Sequence, residues 1–170
     1  GIDLFSLSSL RAGLVSQTIL YFIIAGSFFV LPLYLQTVLN LDAFESGIRM
    51  LPMSISVFVL ALAGSRLALH FSPLVMIRSG LVTACFGLLL LIGAITPQVS
   101  GTLFTCAMTA IGIGIGLAIS QIGNVNLSCV DDSRSNEVGG LQGTATNLGS
   151  SLGVALAGTV LFIGLATTFT

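Results

Sequence analysis

Long apolar segments with no charge at their centres constrain this chain more than any other feature. Its 170 residues include only 5 basic and 6 acidic side chains, every basic one an arginine, and these lie between or at the edges of five apolar stretches. A charge at the middle of a bilayer costs at least about 2.5–3.5 kcal/mol, so charge-free middles are what a spanning segment requires. With 55% hydrophobic and 6% charged residues and a mean hydropathy of +1.10, the chain lies far from soluble domains, in which about 25% of residues are charged. A spanning helix needs about 20 apolar residues. A membrane β-barrel would instead alternate apolar and polar positions, whereas the run Phe86 to Ile92, FGLLLLI, is continuous. The expected fold class is therefore an all-α membrane protein with five transmembrane helices.

The net charge of −1 offers no basic surface, so the lipid bilayer is the expected partner and nucleic acid is not. Cys85, Cys106 and Cys129 match neither a metal-ligand spacing nor a disulfide framework. Gly112-Ile113-Gly114 is not a dinucleotide loop, because Leu117 takes the third glycine position and no strand precedes it. No nucleophile and base pair or ligand cluster stands out, so no cofactor, metal or enzymatic activity is expected. The opening Gly1-Ile2-Asp3, without a basic region, short apolar core and cleavage site, reads as part of a longer protein.

The expected spans are residues 11–39, 43–69, 74–95, 102–127 and 137–166. Pro32 and Pro52 are expected to kink the first and second. Asn40-Leu41-Asp42 ends the first span, and Asp42 with Glu45 resembles a capping box for the second, so the two form a tight hairpin. Ser72-Pro73 reads as an N-cap and first-turn proline for the third span, which Thr96-Pro97 stops. Residues 129–136 form the most polar stretch and read as a solvated loop. Five spans place Arg11, Arg66, Arg78 and Arg134 on one side against Arg49 on the other. Basic residues favour the cytoplasmic side, so in a plasma (inner) membrane the N-terminus of this multi-pass piece is expected in the cytoplasm and its C-terminus outside. Asn126-Leu127-Ser128 is a glycosylation sequon whose expected cytoplasmic position argues against its use.

Three stretches carry a family resemblance: FVLPLYLQTVLNLDAFESGIRMLP at Phe29 to Pro52, IGIGIGLAIS at Ile111 to Ser120, and GGLQGTATNLGSSLGVALAGTVL at Gly139 to Leu161. In content, order and separation they resemble the major facilitator superfamily, specifically its 14-helix drug:proton antiporter branch. The resemblance implies a partial C-terminal six-helix bundle, with these spans as the seventh to eleventh helices of the twelve-helix plan and the N-terminal half and last helix missing. It also implies that the ninth helix, residues 74–95, faces lipid while the other four face a central cavity. The third span's lack of polar residues agrees with that placement. Leu69 and His70, within GSRLALHFSP at Gly64 to Pro73, depart from the family's loop pattern, which has an Asp and an Arg there. The function implied is that of a fragment of a proton-coupled efflux transporter of drugs or small metabolites, working by alternating access. Its partners would be the missing N-terminal half and a small lipophilic or cationic substrate. An importer or uniporter of the same fold, and a non-transporting helical scaffold subunit, are the other readings.

Polar side chains within hydrocarbon need partners or a watery cavity. That makes Gln17, Tyr21, Tyr34, Gln36, Gln121, Asn124, Gln142 and Asn147 candidates for lining a substrate cavity. Each has a plainer reading: Tyr34 and Gln36 as interfacial anchors, Gln17 and Tyr21 as a pair one turn apart, and the others, with Thr146, as bonds between helices. Gln121 and Asn124 are expected to share a face. Gly112 with Gly116 and Gly149 with Gly153 form GxxxG faces suited to close helix packing, with a hinge as the functional alternative. Pro32, Arg49 and Pro52 are kink or gating candidates; Arg49 can pair with Glu45 or make a contact at the outer mouth. Ser54 and Ser56 can bond the carbonyls that Pro52 frees. Asp42, Glu45 and Glu137 fall at helix ends, and Asp3, Asp131 and Asp132 fall outside the spans, so no acid here is placed to carry a proton at the midplane.

Overall fold

In lipid every backbone N–H and C=O must be satisfied within the segment, which an uninterrupted helix achieves. The computed structural model describes residues 8–94, 101–128 and 134–168. Asp3, Thr96-Pro97 and the loop acids Asp131 and Asp132 lie outside the described residues. Five helices follow one another: α1 Ser8–Thr37, α2 Ala43–Leu67, α3 Pro73–Ala94, α4 Gly101–Leu127 and α5 Ser135–Thr168. All five are long and apolar enough to cross a membrane, and no strand occurs among the described residues. The 30 residues of α1 correspond to about 45 Å of helix, more than the ~30 Å of hydrocarbon, so α1 must tilt or project.

The connections are built from local chemistry. Asn40 adopts a left-handed backbone with φ 52°, which asparagine tolerates better than most residues. The Leu41 N–H then turns back to the Leu35 carbonyl at 3.1 Å, satisfying one of the last carbonyls of α1. Four residues later the Glu45 N–H donates to Asp42 Oδ1 at 2.7 Å, capping α2. At the other end of α2, Leu69 and His70 donate to the carbonyls of Arg66 and Leu67 at 3.2 and 3.0 Å. This tightening to i→i−3 bonds ends the regular helix at Leu67. The Val75 N–H reaches Ser72 Oγ at 3.4 Å, and Pro73 takes the first helical position of α3, where a missing N–H costs nothing.

Pro32 and Pro52 lie inside α1 and α2. Ser56 Oγ donates to the Pro52 carbonyl at 2.7 Å. That is the ordinary i−4 bond of a helical serine, not a rescue of the Ile48 carbonyl, which is the one Pro52 leaves without its partner.

The chain divides into two compact units, residues 1–46 with 126–170, and residues 47–125. In the first, α1 packs on α5. Gly149 and Gly153 bring α5 so close that an added Cβ would meet the backbone of Thr18 and Phe22. Beside that contact Leu10, Leu14, Val138 and Ala145 form a core, with Leu141 packed against it.

In the second unit α4 is the shared element. Its Gly112 and Gly116 meet Met53, Ser56, Val57 and Leu60 of α2, with Leu60 Cβ and the Val57 carbonyl each 2.8 Å from a Cβ built on Gly116. Gly114 lies two residues, or about 200°, around the helix, and it meets Gly80 and Ala84 of α3 instead. The alternation Gly-Ile-Gly-Ile-Gly therefore gives α4 close approach on two sides. α3 meets α4 through Gly80, Ala84 and Gly87, while Val82, Phe86, Leu89 and Ile92 are exposed, as a lipid-facing surface would be.

Candidate functional site

An amide side chain in an apolar unit must find partners for both its donor and its acceptor, because an unpaired buried polar group costs about 1–3 kcal/mol. Gln17 of α1, only 5% exposed, does so completely. Its Nε2 donates to the Gln142 carbonyl at 3.1 Å and to Thr146 Oγ1 at 2.9 Å, both on α5. Its Oε1 accepts from Asn126 Nδ2 at 2.7 Å, in the last turn of α4. One carboxamide thus ties the end of α4 and the third and fourth turns of α5 to α1. The pairing expected between Gln17 and Tyr21 does not form, because Gln17 is committed to these partners and Tyr21 is only half-buried.

Asn126 is fully buried, yet its Oδ1 has no hydrogen-bond partner. That oxygen sits where Gly13 of α1 has no side chain; a Cβ there would collide with it. Gly13 and Gln17 are one turn apart on one face of α1. The glycine supplies space and the glutamine an acceptor.

A second buried amide lies in the other unit. Gln121 of α4, 1% exposed, donates from Nε2 to the Gly64 carbonyl of α2 at 3.1 Å and to Ser120 Oγ at 3.3 Å. The Gly64 carbonyl already accepts from the Ala68 N–H at 2.9 Å. Ser120 occupies the space beside Gly64. This is a bond between packed helices. Asn124 is exposed while Gln121 is buried, so the two do not share a buried face.

Among the remaining candidates, Tyr34, Arg49 and Gln142 are half-buried, and Gln36 and Asn147 are exposed. No ion pair joins Arg49 to Glu45 among the described residues. Arg134 and Glu137 form an ion pair at 3.2 Å, exposed at the start of α5 and of the kind that contributes little. No group of three or more His, Cys, Asp or Glu comes together among the described residues. Among the described residues the buried polar side chains, Gln17, Ser46, Gln121 and Asn126, are amides and a hydroxyl, able to donate and accept hydrogen bonds but not to gain or lose a proton near neutral pH.

Sequence reasoning passed over Gly13 and read Asn126 only as a sequon. A usable signal existed in α1: a glycine one turn from a glutamine makes a notch beside a polar group, and such a notch accommodates a side chain from another helix. Nothing local indicated which residue would fill it.

Comparison with known proteins supplies what these contacts alone do not. The probable actinorhodin transporter of Streptomyces coelicolor is 29% identical, over 97% of this chain and 30% of its own length. Multidrug resistance protein Stp of Mycobacterium tuberculosis is 25% identical over 98% of this chain and 31% of its own. Puromycin resistance protein pur8 of Streptomyces alboniger is 30% identical over 79% of this chain and 27% of its own. The chain therefore spans about 30% of the length of the curated relatives it matches. No solved structure matches it significantly. A family model described as Major Facilitator Superfamily covers residues 3–154, and with five helices long and apolar enough to cross a membrane the chain belongs to that superfamily.

Proposed function

We propose that this chain is part of the C-terminal half of a proton-driven efflux transporter for drugs or small metabolites. The observation that carries the reading is similarity along nearly the whole chain to proteins named as a transporter and as a multidrug resistance protein. In this reading the protein is of the 14-helix type, and α1 to α5 are the seventh to eleventh helices of the twelve-helix plan. Helices α1, α2, α4 and α5 border the substrate path and α3 faces lipid. Alternating access then comes from rocking of this bundle against an N-terminal half. The arginine distribution supports a cytoplasmic start for α1 and an outside end for α5.

The polar groups of this portion recognise substrate by hydrogen bonding and shape. The acids of the sequence lie at helix ends or between spans, so the proton-carrying carboxylate belongs to the remainder of the transporter. The test is the full-length protein in proteoliposomes carrying a pH gradient, with ethidium as a lipophilic cationic probe. Gradient-dependent movement of ethidium or of neutral lipophilic compounds is expected. Failure to move any of a panel of such compounds, with the protein folded and inserted, would overturn the reading.

A further inference from the structure

Among the described residues the buried oxygens without a hydrogen-bond partner are Ser46 Oγ in α2 and Asn126 Oδ1 in the α1–α4–α5 cluster, and the second belongs to a side chain already held by another helix. Gln17 has used its donors and its acceptor, and Thr146 and the Gln142 carbonyl receive its amide. Asn126 is held through Nδ2 while its Oδ1, without a hydrogen-bond partner, occupies the space that a Cβ on Gly13 would need. Buried acceptors without donors are rare and call for a reason.

We propose that Asn126 is a two-position latch. In the closed position, seen here, Nδ2 holds Gln17 and Oδ1 rests in the notch at Gly13. In the open position the last turn of α4 leaves α1, and Oδ1 takes a donor from water or from an N–H or O–H of the transported compound. The unpartnered oxygen makes opening cheap, because part of what is lost with the Gln17 bond is regained when Oδ1 is hydrated. The position suits the task. Asn126 lies in the last turn of α4 and Gln142 and Thr146 lie in α5, so releasing Gln17 detaches both helices from it. Farther along α5, the close contacts of Gly149 and Gly153 with Thr18 and Phe22 are untouched and act as the pivot. The four side chains and backbone groups involved carry no charge, so the latch itself does not respond to pH.

The proposal rests on the transporter reading for its place in a working cycle, but its mechanical part is testable without transport. In the full-length protein with native cysteines replaced by alanine, Ala145→Cys puts a thiol in the buried core beside Leu10, Leu14 and Val138. Its reaction with N-ethylmaleimide in proteoliposomes reports opening. At rest, Gly13→Ala and Asn126→Ala should each raise the labelling rate about fivefold or more, and the double variant should be no faster than Asn126→Ala alone, because the alanine at 13 acts only by displacing Asn126. Multiplying effects in the double variant, or no effect of either change, would overturn the latch. During ethidium transport the reporter in the otherwise native protein should label several-fold faster than at rest. Ethidium movement with unchanged labelling overturns the latch and leaves the transporter reading standing. Absence of ethidium movement with the resting pattern intact counts against the transporter reading while supporting the latch. If Gly13→Ala does not fold, amide hydrogen exchange across residues 122–128 replaces it. Faster exchange during transport than at rest supports opening, and identical exchange overturns it.

Discussion

Gln17 and Gln121 are both buried glutamines of apolar helices, and the consequences of removing them differ. Gln17→Leu leaves Asn126 Nδ2 buried with no acceptor and is expected to destabilise the full-length protein by about 1–3 kcal/mol. Gln121→Leu removes a donor from a Gly64 carbonyl that the Ala68 N–H already satisfies, and the loss should stay near the ~0.5–1.5 kcal/mol of an ordinary hydrogen bond. Thermal unfolding of the two purified variants, followed by thiol exposure, checks the order; equal losses would contradict it. The sequence makes plain that such residues need partners, but not which ones. Gln17 meets Asn126 across 109 residues of chain, and no local pattern links positions so far apart. Tyr21 is the polar neighbour one turn away, yet the Thr146 hydroxyl and the Gln142 carbonyl of α5 take the amide.

Glycine decides the behaviour of the elements, and its meaning depends on what faces it. Gly112→Val would drive methyl groups into the α2 backbone at Met53 and should cost about 1–3 kcal/mol through overpacking. Gly143→Ala in α5 meets nothing within 4 Å and should be neutral or stabilise by about 0.4–1 kcal/mol through a smaller entropy loss. Melting temperatures moving in opposite directions is the expected outcome. The GxxxG faces could be read from spacing, since residues four apart lie on one side of a helix. The role of Gly80, Ala84 and Gly87 could not, because α3 looks uniformly apolar until Gly114 of α4 is set against it. Caps are the most legible elements. Asp42 and Ser72 accept the bonds their positions suggest. The left-handed Asn40 supplies a further check: Asn40→Val should cost about 1–2 kcal/mol, and Asn40→Gly should be tolerated, both measured by unfolding.

For the whole molecule, the proposed efflux function, with its proton-carrying acid outside this chain, gives an expectation for the full-length protein. Neutralising Asp42, Glu45 or Glu137 by Asn or Gln substitution should leave efflux dependent on the pH gradient, even where the cap of α2 weakens and expression falls. Loss of gradient dependence in any one of them, with uncoupled transport retained, would place the coupling acid here after all. Five helices long and apolar enough to cross a membrane were determined by the sequence alone, because a charge in hydrocarbon and an unpaired backbone group are each so costly that composition leaves little other choice. Partner choice was decided only by the tertiary structure: which face of α4 meets α2 and which meets α3, and the seating of Asn126 in the notch at Gly13. In a bilayer apolar faces gain little by meeting one another rather than lipid. Small differences in fit and single hydrogen bonds between distant residues therefore settle the arrangement, and neither is written in a local pattern.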